Sequence, residues 1–578
     1  MSHLFSASRT AHLPKTKLFQ RPIRRLSLDE QCELSYQRAR AIAQQYALTA
    51  HDVLTLSEKF WELHMDNVAM MDGAAITLLT IQYNLAAGTL APFAMKRPEL
   101  RPLLQRILNF DVSAQFLLTE VSHGLDAMNL ETTATLLPNG EFDLNSPNEG
   151  AAKYMPPTGP YGGVPRVAIV FARLIVNNEE RGLRPFVVAL GDGKQMCKGV
   201  TSRLLPIRAG SKPVDHALTT FNHVRLPPSA LLGKLEKPAD ARINFMTCIW
   251  RVTVGSLALS ALAVPTVAVG THIAARYSMR RTITGPTGQP FSIWNFRTQQ
   301  LPIVRALAQV YVMKAHALEA IRMFKDTDID VRTRMGIAAS VKAAMIQHTQ
   351  SSLFALSERC GAHGLFEHNQ IIATQLEMRG VGIAEGDVLA LSIRLATELL
   401  LGRYEMPEPR YPDCLLARHE AGLFAECRAE MSKLGSHRGE AFNRLMLPMC
   451  QPLVEAIGHR MAYEAAVDAQ VPQHLLDVYE NSVVKMDAAW YAEHAGVGRW
   501  AQAEMEERAA TAALPYFEQD LEAVGAAPFA TAPIVTKDSW DSFVRDLDCY
   551  QGDAEVELVS SPIPIQRLPE ERMVHARL

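Results

Sequence analysis

Thr132–Asn145 reads TTATLLPNGEFDLN and Val164–Asn178 reads VPRVAIVFARLIVNN. The first alternates around a Pro-Asn-Gly turn, as a β-hairpin does; the second is a β-rich run closed by two asparagines. RPFVVAL (Arg184–Leu190) and HALTTFNHVRLP (His216–Pro227) continue in the same style. Together they predict an antiparallel β-domain in the middle of the chain. On either side the pattern is helical. Upstream, SLDEQCELSYQRARAIAQQYAL (Ser27–Leu48) offers Ser27 as an N-cap with Glu30 three residues on, ahead of apolar positions at helical spacing. Downstream, RTQQLPIVRALAQVYVMKAHALEAIRMF (Arg297–Phe324) is a long helical run, and RYEMPEPRYPDC (Arg403–Cys414), with three prolines, reads as a linker into a second helical block. The predicted class is α+β multidomain. Residues 1–115 form an N-terminal helical domain, 116–240 the β-domain, 241–405 a four-helix bundle, and 406–578 a second C-terminal helical domain with a tail.

Composition narrows the function. Of 578 residues, 48% are hydrophobic and 21% charged, which suits packed cores rather than disorder. Lys and Arg number 58 against 61 Asp and Glu, so net charge (−3) gives no reason to expect nucleic-acid binding. The eight cysteines form no CxxC pair, so no metal site or disulfide framework is indicated and a reducing compartment is expected. Val254–Ala275 carries no Asp, Glu, Lys or Arg and could span a bilayer by length. Its Ser256, Ser260, Pro265, Thr266, Gly270, Thr271 and His272, closed by arginines at both ends, fit a buried bundle helix instead, and no membrane span is expected. The basic first thirty residues lack the apolar run of a secretory signal; their composition alone leaves a mitochondrial presequence open.

No GxGxxG after a strand, GxxxxGK[ST], HExxH or GxSxG is present. Three constellations remain. FLLTEVSHGLDAMNLETTATLLPNGEFDLNSP (Phe116–Pro147) reads as a loop entering a hairpin, or as an edge where the Thr119 hydroxyl and nearby amides meet a flat cofactor ring. IAARYSMRRTITGPTGQPFSIWNFRTQQ (Ile273–Gln300) puts a basic cluster at a helix end before a Gly/Pro loop. Arg281 there could hold a pyrophosphate, or the cluster could simply complement the helix dipole. In SERCGAHGLFEHNQIIATQLEMRGVGIAEGDVLALSIRLATELLLG (Ser357–Gly402), Gly361 and Gly364 flank His363 in a tight turn. Glu385 precedes Gly386 just before an apolar helix. In a closed, dry cleft its basicity would rise and suit it to remove a carbon-bound proton.

The order T-E-x-x-H-G…ETTAT, RYSxxR, FxTQQ, CGxHG and then EG before a helix resembles the flavin-dependent acyl-CoA oxidases, relatives of the acyl-CoA dehydrogenases, over most of the chain. The resemblance implies an FAD enzyme that converts an acyl-CoA to a trans-2-enoyl-CoA and reduces O₂ to H₂O₂. Glu385 matches the family's base for the α-proton and Gly386 its neighbour at the substrate. Thr119 matches the residue beside the flavin ring, and Arg281 the pyrophosphate-binding arginine supplied by a neighbouring subunit. Glu358, Gly361 and Ala362 match the approach to the adenine half, and Arg251 a contact to the thioester ligand. A homodimer with shared FAD sites follows. The C-terminal Ala576-Arg577-Leu578 resembles a peroxisomal address.

The sequence departs from the family pattern at Ala384, where an aromatic is usual, at Val388, where a polar residue is usual, and in KYMPPTGPYGG (Lys153–Gly163). A small Ala384 implies room for a short, branched or cyclic acyl group. The same departures keep open a non-catalytic homologous subunit, and the family keeps open a dehydrogenase that passes electrons to an electron-transfer flavoprotein.

Overall fold

The computed structural model describes residues 4–20, 26–210, 213–434 and 436–556, so the C-terminal Ala576-Arg577-Leu578 lies outside the described residues. Helix α1 (Leu28–Tyr46) starts at the expected cap. Ser27 Oγ accepts the Glu30 amide at 3.2 Å, and Glu30 Oε2 accepts the Ser27 amide at 2.8 Å. Beyond it, α2 (Gly73–Thr80) runs through a π-helical turn (Ile81–Ala87) into α3 (Gly88–Lys96). Helix α4 (Arg101–Leu108) then leads to the strands.

The β-block has nine strands: β1 (Ser113–Leu117), β2 (Thr133–Leu136), β3 (Phe142–Asn145), β4 (Lys153–Pro157), β5 (Arg166–Val176), β6 (Glu179–Gly191), β7 (Val200–Leu204), β8 (His216–Phe221) and β9 (Val224–Leu226). The pairing is antiparallel as expected except at two places. β1 and β2 both lie parallel to β5, end to end along one edge: Ser113 opposes Arg166, and Thr133 opposes Arg173. β6 covers the other edge antiparallel. Alternation along each strand reports which face is buried. It does not report direction when the partner is distant in sequence, so the parallel pairs could not be read from it.

Strands β4, β8 and β7 form a second, smaller sheet beside that of β1, β5, β2, β3, β9 and β6, and a buried ion pair fixes the corner between the two. Lys153 and Glu120 are both fully buried, Nζ to Oε1 at 2.8 Å. Lys153 Nζ also donates to the carbonyls of Phe171 (2.7 Å) and Leu118 (3.3 Å). The Glu120 carboxylate accepts the amides of Glu131 (2.6 Å) and Thr132 (3.0 Å). The TE and ETT motifs therefore meet, and the first residue of the unusual KYMPP segment ties them together.

The helical half is built around one rod. After α5 (Trp250–Ala261) and α6 (Ala263–Arg280) come a small hairpin, β10 (Thr282–Thr284) with β11 (Pro290–Ser292), then α7 (Arg297–Lys325), α8 (Val331–Arg359), α9 (Ile371–Ile383) and α10 (Val388–Leu400). Helix α8 touches α5, α6, α7, α9 and α10. The apolar run from Val254 is two helices, not one: Pro265 has no amide to give Ala261, and the chain breaks at Leu262. Two stretches, Gly73–Lys96 and Trp250–Arg280, are long and apolar enough to cross a membrane, and 89% of the most apolar window of each is buried inside the fold. That is core-helix behaviour.

The second helical block, α11 (Leu415–Ser432), α12 (Leu447–Asp468), α13 (Gln473–Val484) and α14 (Arg499–Ala513), lays α12 across α7, α8 and α10. A Cβ on Gly458 would sit 2.5 Å from the Ser340 carbonyl, so that glycine lets α12 touch α8. The three-proline linker is irregular chain, and Arg460 of α12 pins it by donating to the Pro407 carbonyl (3.0 Å) while pairing with Glu420 and Glu464.

Lys153→Met should leave the Glu120 carboxylate buried without its cation, at a cost of about 3–5 kcal/mol. Denaturant unfolding measures this; a loss below about 1 kcal/mol would show that the pair does not hold the corner.

Candidate active site

Four residues, 384–387, join α9 to α10, and Glu385 sits among them in a left-handed conformation (φ 56°) followed by Gly386 at φ 101°. A non-glycine residue there costs about 1–2 kcal/mol, so the turn needs external support. Support comes from three sides. Lys342 of α8 donates to the carbonyls of Ala384 (2.5 Å) and Gly386 (2.6 Å). Ser256 Oγ of α5 donates to the Glu385 carbonyl (2.5 Å). Asp387 caps α10 through the Ala390 amide (3.1 Å).

Held this way, Glu385 turns its carboxylate inward over α5. A Cβ built on Gly255 would lie 1.1 Å from Oε2, so any larger residue would occupy the carboxylate's place. Asn84, in the π-helical turn, donates from Nδ2 to Oε2 at 3.1 Å and to the Arg251 carbonyl at 3.0 Å. Arg251 in turn donates from Nε to the Asn84 carbonyl (2.8 Å) and from Nη1 to the Val53 carbonyl (3.2 Å). Its guanidinium lies over Gly88, where a Cβ would come within 2.0 Å of Nε, and 5.5 Å from the Phe60 ring centre. Two glycines thus make room for the two charged side chains.

Burial dominates the electrostatics. Desolvation pushes the Glu385 carboxyl up to about 8, against the opposing pull of Lys342, Arg251 and the Asn84 hydrogen bond. It likewise lowers Lys342 to about 8 and Arg251 to about 10, although Glu385 favours both cations. A carboxylate made this basic, beside two desolvated cations, is suited to taking a proton from carbon.

Other expected site residues form a second cluster. Gln299 of FRTQQ donates to Ser278 Oγ of RYS and to the Arg359 carbonyl just before CGAHG, both at 2.8 Å. Tyr277 meets His363 edge-on at 5.8 Å between ring centres. Three motifs far apart in sequence are therefore one structure. Glu358, Gly361, Ala362 and Arg281 are exposed here, and Gly361 (φ 58°) has open space above it. The Arg281 charge helps to lower His363, after desolvation. An exposed guanidinium beside an open glycine turn fits an anionic cofactor end. Thr119 stands apart, at the start of the TE motif. Its carbonyl accepts the Tyr154 amide (2.9 Å), while its hydroxyl has no hydrogen-bond partner among the described residues, which leaves it available to a flat ring. Seventeen residues of α8, from Lys342 to Arg359, separate the Glu385 turn from the second cluster. At 1.5 Å per residue that is about 26 Å.

Sequence reading missed Asn84, Gly255, Ser256 and Lys342. The available signal was slight, a polar residue in a largely apolar helical run: Asn84, two residues after Gln82, within TIQYNLAAGTLA, and Lys342, two residues after Ser340, within GIAASVKAAM.

Residues 252–400 match the family described as acyl-CoA oxidase, C-alpha1 domain. The peroxisomal acyl-coenzyme A oxidase 2 of Arabidopsis thaliana is 27% identical over 368 residues, 59% of this chain and 53% of that protein. This chain's match thus spans about half the length of that curated relative. Among solved structures, Arabidopsis thaliana acyl-CoA oxidase 1 matches with a TM-score of 0.77 at 17% identity, covering 93% of this chain and 91% of that one. Acyl-CoA oxidase-2 of Caenorhabditis elegans, bound with FAD, ascaroside-CoA and ATP, matches with a TM-score of 0.70 at 17% identity, covering 94% and 93%. The fold is that of the acyl-CoA oxidases.

The raised Glu385 carboxyl has a consequence for stability. Between its ordinary 4.5 and about 8 the unfolded chain ionises while the folded chain keeps the proton. The unfolded state then binds fewer protons, so the group's contribution is fully present below pH 4.5 and is lost as pH rises through about 8. Glu385→Gln should therefore gain melting temperature over wild type as pH rises from about 5 to about 9. An equal difference at both ends, by scanning calorimetry, would show that the carboxyl is not shifted.

Proposed function

We propose that this divergent relative of the acyl-CoA oxidases is itself an FAD-dependent oxidase of an acyl-CoA thioester, with Glu385 as the base. One observation carries the reading: a glutamate in a strained turn, held by Lys342 and Ser256, with a desolvated and strongly basic carboxylate. The family match over residues 252–400 contains that turn, and a solved structure of the same fold holds FAD and ascaroside-CoA. The reaction is acyl-CoA plus O₂ giving trans-2-enoyl-CoA plus H₂O₂.

In this reading Glu385 breaks the α-C–H bond by taking the proton, and the electron pair left behind forms the new double bond as the β-hydrogen departs as hydride. FAD, when bound, supplies the two-electron acceptor for that hydride and passes the electrons to O₂. Thr119 would lie at its ring, and Arg281 with Glu358, Gly361 and Ala362 at its pyrophosphate and adenine end. Arg251 and Gly386 line the substrate side with Glu385. Lys342 and Arg251 favour the ionised base, which must exist before the proton is taken, so kcat/KM should rise with pH through the Glu385 titration. Exposed Arg281 and Gly361, about 26 Å along α8 from the base, suit a cofactor shared between two copies of the chain. Ala384 is exposed beside the base and adds no bulk, which favours a short, branched or cyclic acyl group.

The purified chain should be yellow, have twice the chain mass in light scattering, and yield one peroxide per enoyl product in air. On a panel of thioesters it should prefer compact or branched acyl groups to palmitoyl. Glu385→Gln should keep its flavin and lose flavin reduction by at least about a thousandfold. Flavin reduction in that variant at the wild-type rate would remove Glu385 as the base. A colourless protein would indicate a non-catalytic subunit, and reduction without peroxide a dehydrogenase.

A peroxide-forming enzyme suits the peroxisomal address read from Ala576-Arg577-Leu578. The full chain should enter peroxisomes, and a chain ending at Val574 should stay in the cytosol; identical distributions would exclude this signal.

A further inference from the structure

The two oxygens of the Glu385 carboxylate are not equivalent. Oε2 lies against Gly255 and accepts a hydrogen bond from Asn84 Nδ2 at 3.1 Å, whereas Oε1 accepts none among the described residues. The orientation of the Asn84 carboxamide is itself determined. Its Nδ2 faces two acceptors, Glu385 Oε2 and the Arg251 carbonyl, and only the NH₂ end can satisfy both. Both amide hydrogens are used, and Oδ1 is buried without a partner on the other side. The Asn84 backbone is locked as well, since its carbonyl accepts Arg251 Nε at 2.8 Å. Asn84 belongs to the N-terminal helical region, 301 residues from Glu385 in sequence. It sits in the π-helical turn Ile81–Ala87, a distortion that places side chains where a regular helix would not.

We infer that Asn84 is a positioning residue that selects Oε1 of Glu385 as the proton-accepting oxygen and favours the ionised form of the carboxyl. The Asn84 N–H is accepted better by a carbonyl oxygen than by a carboxylic hydroxyl, so with Oε2 as its acceptor the proton is directed to Oε1. Donation to Oε2 stabilises the charged form, which desolvation disfavours. The other groups facing Glu385 are Lys342 from α8 and Arg251 from α5, with Asp387 on its own turn. Lys342 bonds backbone carbonyls and Arg251 bonds carbonyls of the N-terminal region, so only Asn84 donates to the carboxylate itself among the described residues. The inference rests on Glu385 being the base, but the placement of its proton can be measured without turnover.

Two variants of the full chain, Asn84→Leu and the isosteric Asn84→Asp, carry the test. Infrared difference spectra over a pH titration report carboxyl protonation, and the band missing from Glu385→Gln identifies Glu385. Asn84→Leu should raise that titration by about one pH unit, a tenfold change in proton affinity. Asn84→Asp should raise it further, because two carboxyl groups then share the site. With flavin content and melting temperature near wild type, the lower limb of the kcat/KM profile should move by the same amount. Asn84→Asp keeps the shape of the side chain and decides the matter if the leucine variant does not fold. A Glu385 titration unmoved in a folded variant overturns the role of Asn84 whether or not the enzyme turns over. A titration that moves in a protein that never oxidises a thioester upholds the Asn84 contact and removes the oxidase reading instead.

Discussion

A single ammonium group holds the site together. Lys342 projects from the central helix α8 into the joint between α9 and α10 and binds the carbonyls on either side of Glu385. A left-handed glutamate followed by a left-handed glycine would relax if left to itself. Two charge-assisted hydrogen bonds from a buried cation exceed that strain. The cation must be buried to act, and burial draws it down to about 8. Glu385 is pushed upward by the same desolvation, and each group opposes the other's shift: Glu385 raises Lys342, and Lys342 lowers Glu385. Turn geometry and site electrostatics are therefore one interaction seen from two ends.

The rest of the constraint is steric and comes from outside the bundle. The carboxylate occupies the volume that a side chain at Gly255 would fill, and Arg251 the volume above Gly88. Gly255 and Arg251 are four residues apart on one face of α5, so a single helix face clears space for the Glu385 carboxylate and supplies the nearby cation. The N-terminal region closes this arrangement through Asn84, which binds both. Glu385 is thus enclosed by elements from three parts of the chain, and none of them alone would desolvate it.

How much of this was legible in the sequence follows from the range of each signal. Strand alternation and the Pro-Asn-Gly turn are local, and the β-block is where they place it; the parallel pairing of β1 and β2 on β5 depends on distant partners and was misread. The capping box at Ser27 and Glu30 spans three residues and appears as written. Glu385 was legible through the order of motifs around it. The structure explains that order in part, since RYS, FRTQQ and CGAHG bond to one another through Gln299. Asn84 and Lys342 are polar residues in largely apolar helical runs that also hold Gln82 and Ser340, and a buried asparagine or lysine carries no mark in the sequence of which group it meets. Nothing local marks Glu120 as half of a buried ion pair, because its partner, Lys153, lies 33 residues away on another strand.

One consequence concerns how the two clusters are coupled. Lys342 and the CGAHG turn are carried by the same helix, α8, and a packed helix neither stretches nor slides by fractions of a turn without breaking its contacts. The distance between the Glu385 turn and the exposed Arg281–Gly361 corner is therefore set by the length of α8, and the neighbours α5, α6, α7, α9 and α10 fix its position. Helix α12, in contact at Gly458, clamps the same rod from the far side. The second helical block thus bears on the helix that carries Lys342, touching it at Ser340 and Ala344 on either side of that lysine, although none of its residues bonds the Glu385 turn among the described residues.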